Sequence, residues 1–276
     1  MLDWLDARRT YNAVFPGLDQ DHVTRAFIAS ALFCAALFLV TTPAWLTDTR
    51  TLDGVDLWTK PQKFNVSLIV HFATFAILAQ LIPQVKRTSK VMTVAALAAV
   101  ASMLFEQVYM TIQAGRARHS HFNSETNLEI VMYLIMGVGA TILVLTGVVI
   151  AVMIWRTRGL RSSGLVFGSI AGLIVGALST LAFAGYMSAS GSHFVGVHPE
   201  GGQTLPFFGW SLETGDLRPA HFVALHCMQS LPLIGYVSDR AGSPAVRLVS
   251  IAAVLQVGLA TALFANALAG RSLLAF

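Results

Sequence analysis

The sequence predicts an all-α, polytopic membrane protein, a bundle of seven transmembrane helices forming one domain over residues 1–276. Three observations carry that prediction. Hydrophobic residues make up 55% of the chain against 12% charged, and the mean hydropathy is +0.67, far from a soluble composition. Seven apolar runs, approximately 26–46, 63–83, 91–113, 129–154, 165–187, 219–237 and 245–268, reach the roughly 20 residues that cross a bilayer as helix. The alternating, half-length segments of a transmembrane barrel do not occur.

The first run starts late and follows Asp3, Asp6, Asp19 and Asp21, which argues against a cleavable signal. Before it, residues 1–24 mix Trp4, Leu5, Tyr11 and Phe15 with Arg8 and Arg9, a pattern suited to an interfacial segment on the inner surface. The second run opens with W-T-K-P-Q-K-F at 58–64, where Pro61 fits a first helical turn. Lys63, Ser67, His71 and Thr74 then recur at helical spacing as one polar stripe. In the third run Glu106, Tyr109, Gln113 and Arg116 repeat the pattern towards the opposite end. His119 and His121 follow on a loop, where solvated side chains are expected, and Thr126 with Glu129 has capping-box spacing for the fourth run.

After the fifth run, residues 187–218 are too long for a plain turn and hold His193, His198, Phe207, Phe208 and Trp210. Two readings fit such a connection equally, aromatics resting at the headgroup level and a lid over an outward-opening cavity. The sixth run is introduced by Asp216 as N-cap and Pro219 in the first turn. Within it Arg218, His221, His226 and Gln229 share one face roughly 140° wide. Apart from Arg247 at the start of the seventh, the first, fifth and seventh runs carry only Ser, Thr, Gln256 and Asn266 as strongly polar residues, so the second, third and sixth hold the polar seam. The seventh contains no lysine, which excludes a retinal Schiff base.

Lys86, Arg87 and Lys90 cluster without acids, as do Arg156, Arg158 and Arg161. The positive-inside rule then puts the N-terminus in the cytoplasm and the C-terminus outside. The pI of about 9.3 reflects these topology signals and implies no nucleic-acid partner. Cys34 and Cys227 both fall inside apolar runs and form no disulfide framework.

At about 1.5 Å per residue, His71 lies roughly 15 Å below the outer start of its helix, and Glu106 and His226 about 12 Å. An ionisable group at such depth reads as functional. Lys60, Lys63, Arg116, Arg118, Arg218 and His221 form a shallower basic collar above this layer. The two tiers suit an anionic, amphiphilic ligand entering from the outer side. One expectation is haem b, with His71 and His226 as axial ligands, propionates at Lys63, Arg116 or Arg218, and Glu106 and Gln229 as supporting partners. Another is a transition metal held by His71, His226 and Glu106. Either would suit a membrane oxidoreductase or a sensor. A proton-coupled transporter using Glu106 and His71 is the alternative, but 76–81 and 92–103 are almost wholly apolar and offer no exit path. A ligand receptor or assembly factor is a third reading. Nucleotide and hydrolase motifs are absent. The partners expected are the lipid bilayer and a small outer ligand, and a homo-oligomer is allowed.

The run W-T-K-P-Q-K-F, the loop G-R-A-R-H-S-H-F-N and the closing G-D-L-R-P-A-H-F-V-A-L-H-C-M-Q-S-L-P resemble a family of bacterial integral membrane proteins. The resemblance covers nearly the whole membrane region. It implies seven helices in the bacterial inner membrane and transfers no activity and no catalytic residue.

Overall fold

The computed structural model describes residues 21–160, 163–197, 199 and 201–275. Most of the segment expected on the inner surface, and His198, lie outside that range. The described chain is helical. Six helices are long and apolar enough to cross a membrane: α1 (His22–Thr47), α2 (Thr59–Ala79), α4 (Lys90–Gly115), α5 (Asn127–Arg158), α6 (Gly164–Ser190) and α9 (Ala245–Leu268). The sixth expected span differs. It is broken at His226 into α7 (Arg218–Leu225) and α8 (Cys227–Arg240), neither long enough alone. A single turn, α3 (Gln84–Arg87), precedes α4.

The helix starts follow from local chemistry. Asp21 caps α1 by accepting from the amides of Val23 and Thr24, each at 3.0 Å. Thr126 caps α5, taking the Glu129 amide at 3.3 Å while its hydroxyl donates to the Glu129 carboxylate at 3.0 Å, as the capping-box spacing predicts. The N-cap of α7 is Leu217, one position after the expected Asp216, which still accepts the Arg218 amide at 3.0 Å. At the break, Gln256 of α9 donates to the Val223 carbonyl at 2.8 Å. The polar backbone freed inside the bundle is thereby satisfied.

The bundle has two halves. In the first, α2 packs on α1 and α4, and α4 on α5; in the second, α6, α7, α8 and α9 pack together, and α5 against α6 joins the halves. The α6–α8 contact is close because glycines face it. A Cβ on Gly168 would run into the Leu231 carbonyl, and one on Gly235 into that of Gly164. Small residues at such crossings let membrane helices approach. Gly168→Val is therefore expected to cost about 3 kcal/mol, seen as a lower unfolding midpoint in detergent; an unchanged midpoint would show that the crossing is not tight.

Short strands lie at one end of the bundle. β1 (Thr51–Leu52) pairs with β2 (Val55–Asp56) between α1 and α2. β3 (Phe194–Val195) pairs with β4 (Gly215–Asp216) and closes the base of the long loop after α6. In the first half Phe27, Phe72, Phe75, Ala76, Ala79, Met92, Ala96, Ala99 and Ile150 are buried in one core, and the buried Arg87–Asp21 pair and Gln80, which donates to Thr24, lie at the end away from the strands.

Candidate functional site

The N-terminus of α2 is fixed by two tryptophans: Trp58 donates to Asp48 at 2.9 Å and Trp45 to Thr59 at 3.0 Å. This anchors Lys60 and Lys63 on the first two turns. The Lys63 ammonium donates to the Phe208 carbonyl at 2.7 Å. Arg218 grips Asp216 at 2.6 Å, donates to the Gly209 carbonyl at 2.7 Å and lies 5.1 Å from the Phe194 ring centroid. Two consecutive carbonyls of the long loop are thus strapped to two cations. The turn that presents them holds Phe207 at φ 63° and Gly209 at φ 65°. The left-handed region is strained for a phenylalanine. Phe208 and Trp210 pack on Phe222, with ring centroids 5.5 and 5.3 Å away.

Lys60 stands apart. It lies within electrostatic reach of Glu106, Lys63 and Arg218, and among the described residues no hydrogen bond engages its ammonium. Glu106, on α4, is buried, with its Oε1 3.7 Å from His121 Nε2. His121 sits 3.2 Å from the Ser120 hydroxyl through Nδ1 and packs against the rings of Phe64 and Tyr133. Burial lowers its pKa below the ordinary histidine value, the Lys60 charge adds to this, and Glu106 opposes it. His193, flanked by the rings of Phe122 and Phe194, is pushed down to about 3, first by desolvation and then by Arg218. Both imidazoles are therefore neutral at pH 7. Three cations, Lys60, Lys63 and Arg218, neighbour two carboxylates, Glu106 and Asp216, so this cluster carries a positive excess.

The expected collar is thus divided. Lys60, Lys63 and Arg218 form it. Arg116 is exposed at the end of α4 and donates to Gln113 at 3.0 Å, while Arg118 is held by Glu125 and Glu129. His221 turns to the α6 side, bonding the Thr180 backbone, and its Nδ1 is buried without a partner.

The deeper layer is divided too. Glu106 has His121 and Lys60 as its neighbours, whereas the charge felt by His71 is that of His226. His71 is 7% exposed, its ring 4.3 Å from that of Phe75, and its Nε2 has no partner. His226 stands at the break between α7 and α8, its Nδ1 2.7 Å from the Phe222 carbonyl and its ring 4.0 Å from that of Phe222. A carbonyl only accepts, so His226 Nδ1 is the donor in this contact. Gln229 bridges α8 to α2 by donating to Thr74 at 3.2 Å, leaving its Oε1 buried and unpartnered. Among the described residues, no three or more His, Cys, Asp or Glu side chains come together as a metal-holding group.

Sequence reasoning passed over His121 as solvated. Its neighbour His119 does fit that expectation, half exposed and 3.4 Å from Asp53. The available signal was the S-H-F-N turn following a helix that carries a buried carboxylate. No family model matches the chain, and neither a curated protein nor a solved structure does. The likeness to a bacterial membrane family thus rests on its motifs, and what stands independently is a helical, membrane-type chain.

Proposed function

We propose that this is a seven-span protein of the bacterial plasma membrane whose outer chamber binds a small anionic or amphiphilic ligand. The single observation that carries the reading is the Lys60 ammonium, free of hydrogen bonds in a chamber with excess positive charge beneath a strapped-down loop. Lys60 is partly buried, and an ammonium partly withdrawn from water without an acceptor is costly unless a ligand supplies one. Counted together, α7 and α8 run from Arg218 to Arg240, about 34 Å at helical rise, and serve as the seventh, broken span. The Lys86–Lys90 and Arg156–Arg161 clusters put the chamber on the outer side. The largely apolar stretches 76–81 and 92–103 favour a receptor, sensor or enzyme over a through-path.

Purified protein in mild detergent, titrated with inorganic phosphate and with a fatty acid, tests this. Saturable stabilisation is expected, about 2.7 kcal/mol at a hundredfold excess over Kd. No shift with either would sink the reading.

A second reading, haem b or a transition metal at His71 and His226, is favoured by the Nδ1 contact of His226. Ligating histidines usually donate their other ring N–H to a carbonyl in this way. Lys63 and Arg218 would receive haem carboxylates. An absorption spectrum with and without dithionite, together with elemental analysis, checks it. A Soret band lost in His226→Ala supports it, and a colourless, metal-free protein removes it while leaving the anion reading intact.

A further inference from the structure

The long loop ends in a small hairpin with a fixed base. Thr204 and Ser211 form a β-bridge, the Leu205 amide donates to the Trp210 carbonyl at 2.8 Å, and the Gly209 amide donates to the Leu205 carbonyl at 2.8 Å. Asp216 ties this base to the start of α7, accepting the Ser211 amide at 2.9 Å and the Arg218 guanidinium at 2.6 Å. Beyond the base, Pro206 and Phe207 are exposed. Among the described residues, the tip 206–209 makes two hydrogen bonds to the rest of the protein. Lys63 donates to the Phe208 carbonyl and Arg218 to the Gly209 carbonyl, each at 2.7 Å.

For Lys63 the Phe208 carbonyl is the only hydrogen-bond acceptor among the described residues. A carbonyl satisfies the bond but leaves the charge of the ammonium uncompensated. Lys60 adds a second ammonium three residues away on the same helix face, and Lys63 also feels Arg218, with Asp216 opposing. Two adjacent backbone oxygens on two cations reproduce the contact of a carboxylate or phosphate without its charge. The tip that offers them is strained, because Phe207 is held at φ 63°, a left-handed conformation that costs a residue with a Cβ.

We propose that the loop tip is an autoinhibitory strap that stands in for the ligand. The Phe208 and Gly209 carbonyls occupy the places of two oxygens of a carboxylate or phosphate group, and an anion displaces them by bringing the charge they lack. The proposal rests on the anion reading of the chamber and deepens it: Lys63 and Arg218 become the pair that grips the anion, beside the unengaged Lys60. The anion takes the room that the tip vacates. Binding then competes with closure, so the apparent affinity is scaled by the fraction of protein with the tip open.

Phosphate titration of purified Phe207→Gly and Phe207→Val tests this by sign. Both variants remove the ring, which packs edge-on against Phe208 with centroids 5.5 Å apart, so the difference between them reads the backbone. Glycine accepts a positive φ and holds the tip closed, whereas β-branched valine resists it and opens the tip. Phosphate should therefore bind Phe207→Val about tenfold more tightly than Phe207→Gly. Trp210 reports the motion itself. Its ring lies 5.3 Å from that of Phe222 with the tip closed, so saturating phosphate should increase acrylamide quenching of its fluorescence, taken by difference from Trp210→Phe. Unfolding midpoints without ligand establish that each variant is folded. Equal phosphate affinity in the two Phe207 variants, tighter binding by Phe207→Gly, or unchanged quenching at saturation would overturn the strap and leave the chamber reading standing. Absent saturable binding of both phosphate and fatty acid to the wild type rejects the chamber reading, and the strap with it.

Discussion

Arg87→Met is expected to destabilise the folded protein by about 3–5 kcal/mol, the usual cost of stranding one partner of a buried ion pair. Arg87 is 1% exposed and the Asp21 side chain 2%, with Nε 2.7 Å from the carboxylate. The guanidinium also donates to the Ile82 carbonyl at 3.0 Å, where the chain turns between α2 and α3. Asp21 meanwhile holds the first turn of α1 through Val23 and Thr24. One side chain thus joins three elements, and Met fills its volume without replacing a single donor. Asp21→Leu combined with Arg87→Met should recover part of the loss, because no charge is then left buried.

The same pair sets an acid limit. Burial alone would raise the Asp21 pKa, but the Thr24 amide and hydroxyl and Arg87 together outweigh it, so the carboxyl titrates below its ordinary value. A depressed carboxylate contributes stability that is complete above its unfolded pKa, about 3.9. That contribution is lost as pH falls through the lower folded value. Unfolding midpoints recorded across this range should fall on the acid side in the wild type and change less there in the double variant. A variant Arg87→Met within 1 kcal/mol of the wild type would mean that the pair behaves as a surface bridge.

The helices were legible because composition and run length alone decide whether a segment suits hydrocarbon. The break at His226 was not. The run 219–237 reads as continuous, and the donor that satisfies the Val223 carbonyl comes from Gln256, on a different helix. Counting gives the position of His71, Glu106 and His226 along their helices, but not azimuth relative to neighbouring helices, because that depends on packing. Glu106 therefore turned out to face His121 and Lys60, while His71 lies against Phe75 and nearest in charge to His226. The long loop showed itself by length and aromatics. Its attachment through the Phe208 and Gly209 carbonyls is backbone chemistry that no side-chain pattern announces.

Lys60→Gln and Glu106→Gln are expected to move anion binding in opposite directions. Lys60 provides the one chamber ammonium not already engaged by the loop or a carboxylate. Removing a charged partner from a buried hydrogen-bonded contact costs about 2–5 kcal/mol, so phosphate affinity should fall by at least about thirtyfold. Glu106 is buried within reach of the same ammonium and competes with any anion for it. Glu106→Gln keeps the size and the contact with His121 while removing a negative charge, so anion affinity should rise about tenfold, or about 1.4 kcal/mol. A site built for a metal ion gives the reverse sign at this position, because loss of a carboxylate weakens cation binding. Titration of the two variants with phosphate, and separately with Zn²⁺, therefore separates the readings by sign rather than by size. If Glu106→Gln weakens phosphate binding as Lys60→Gln does, Glu106 belongs to the ligand-binding machinery itself, and the chamber is not a simple anion site.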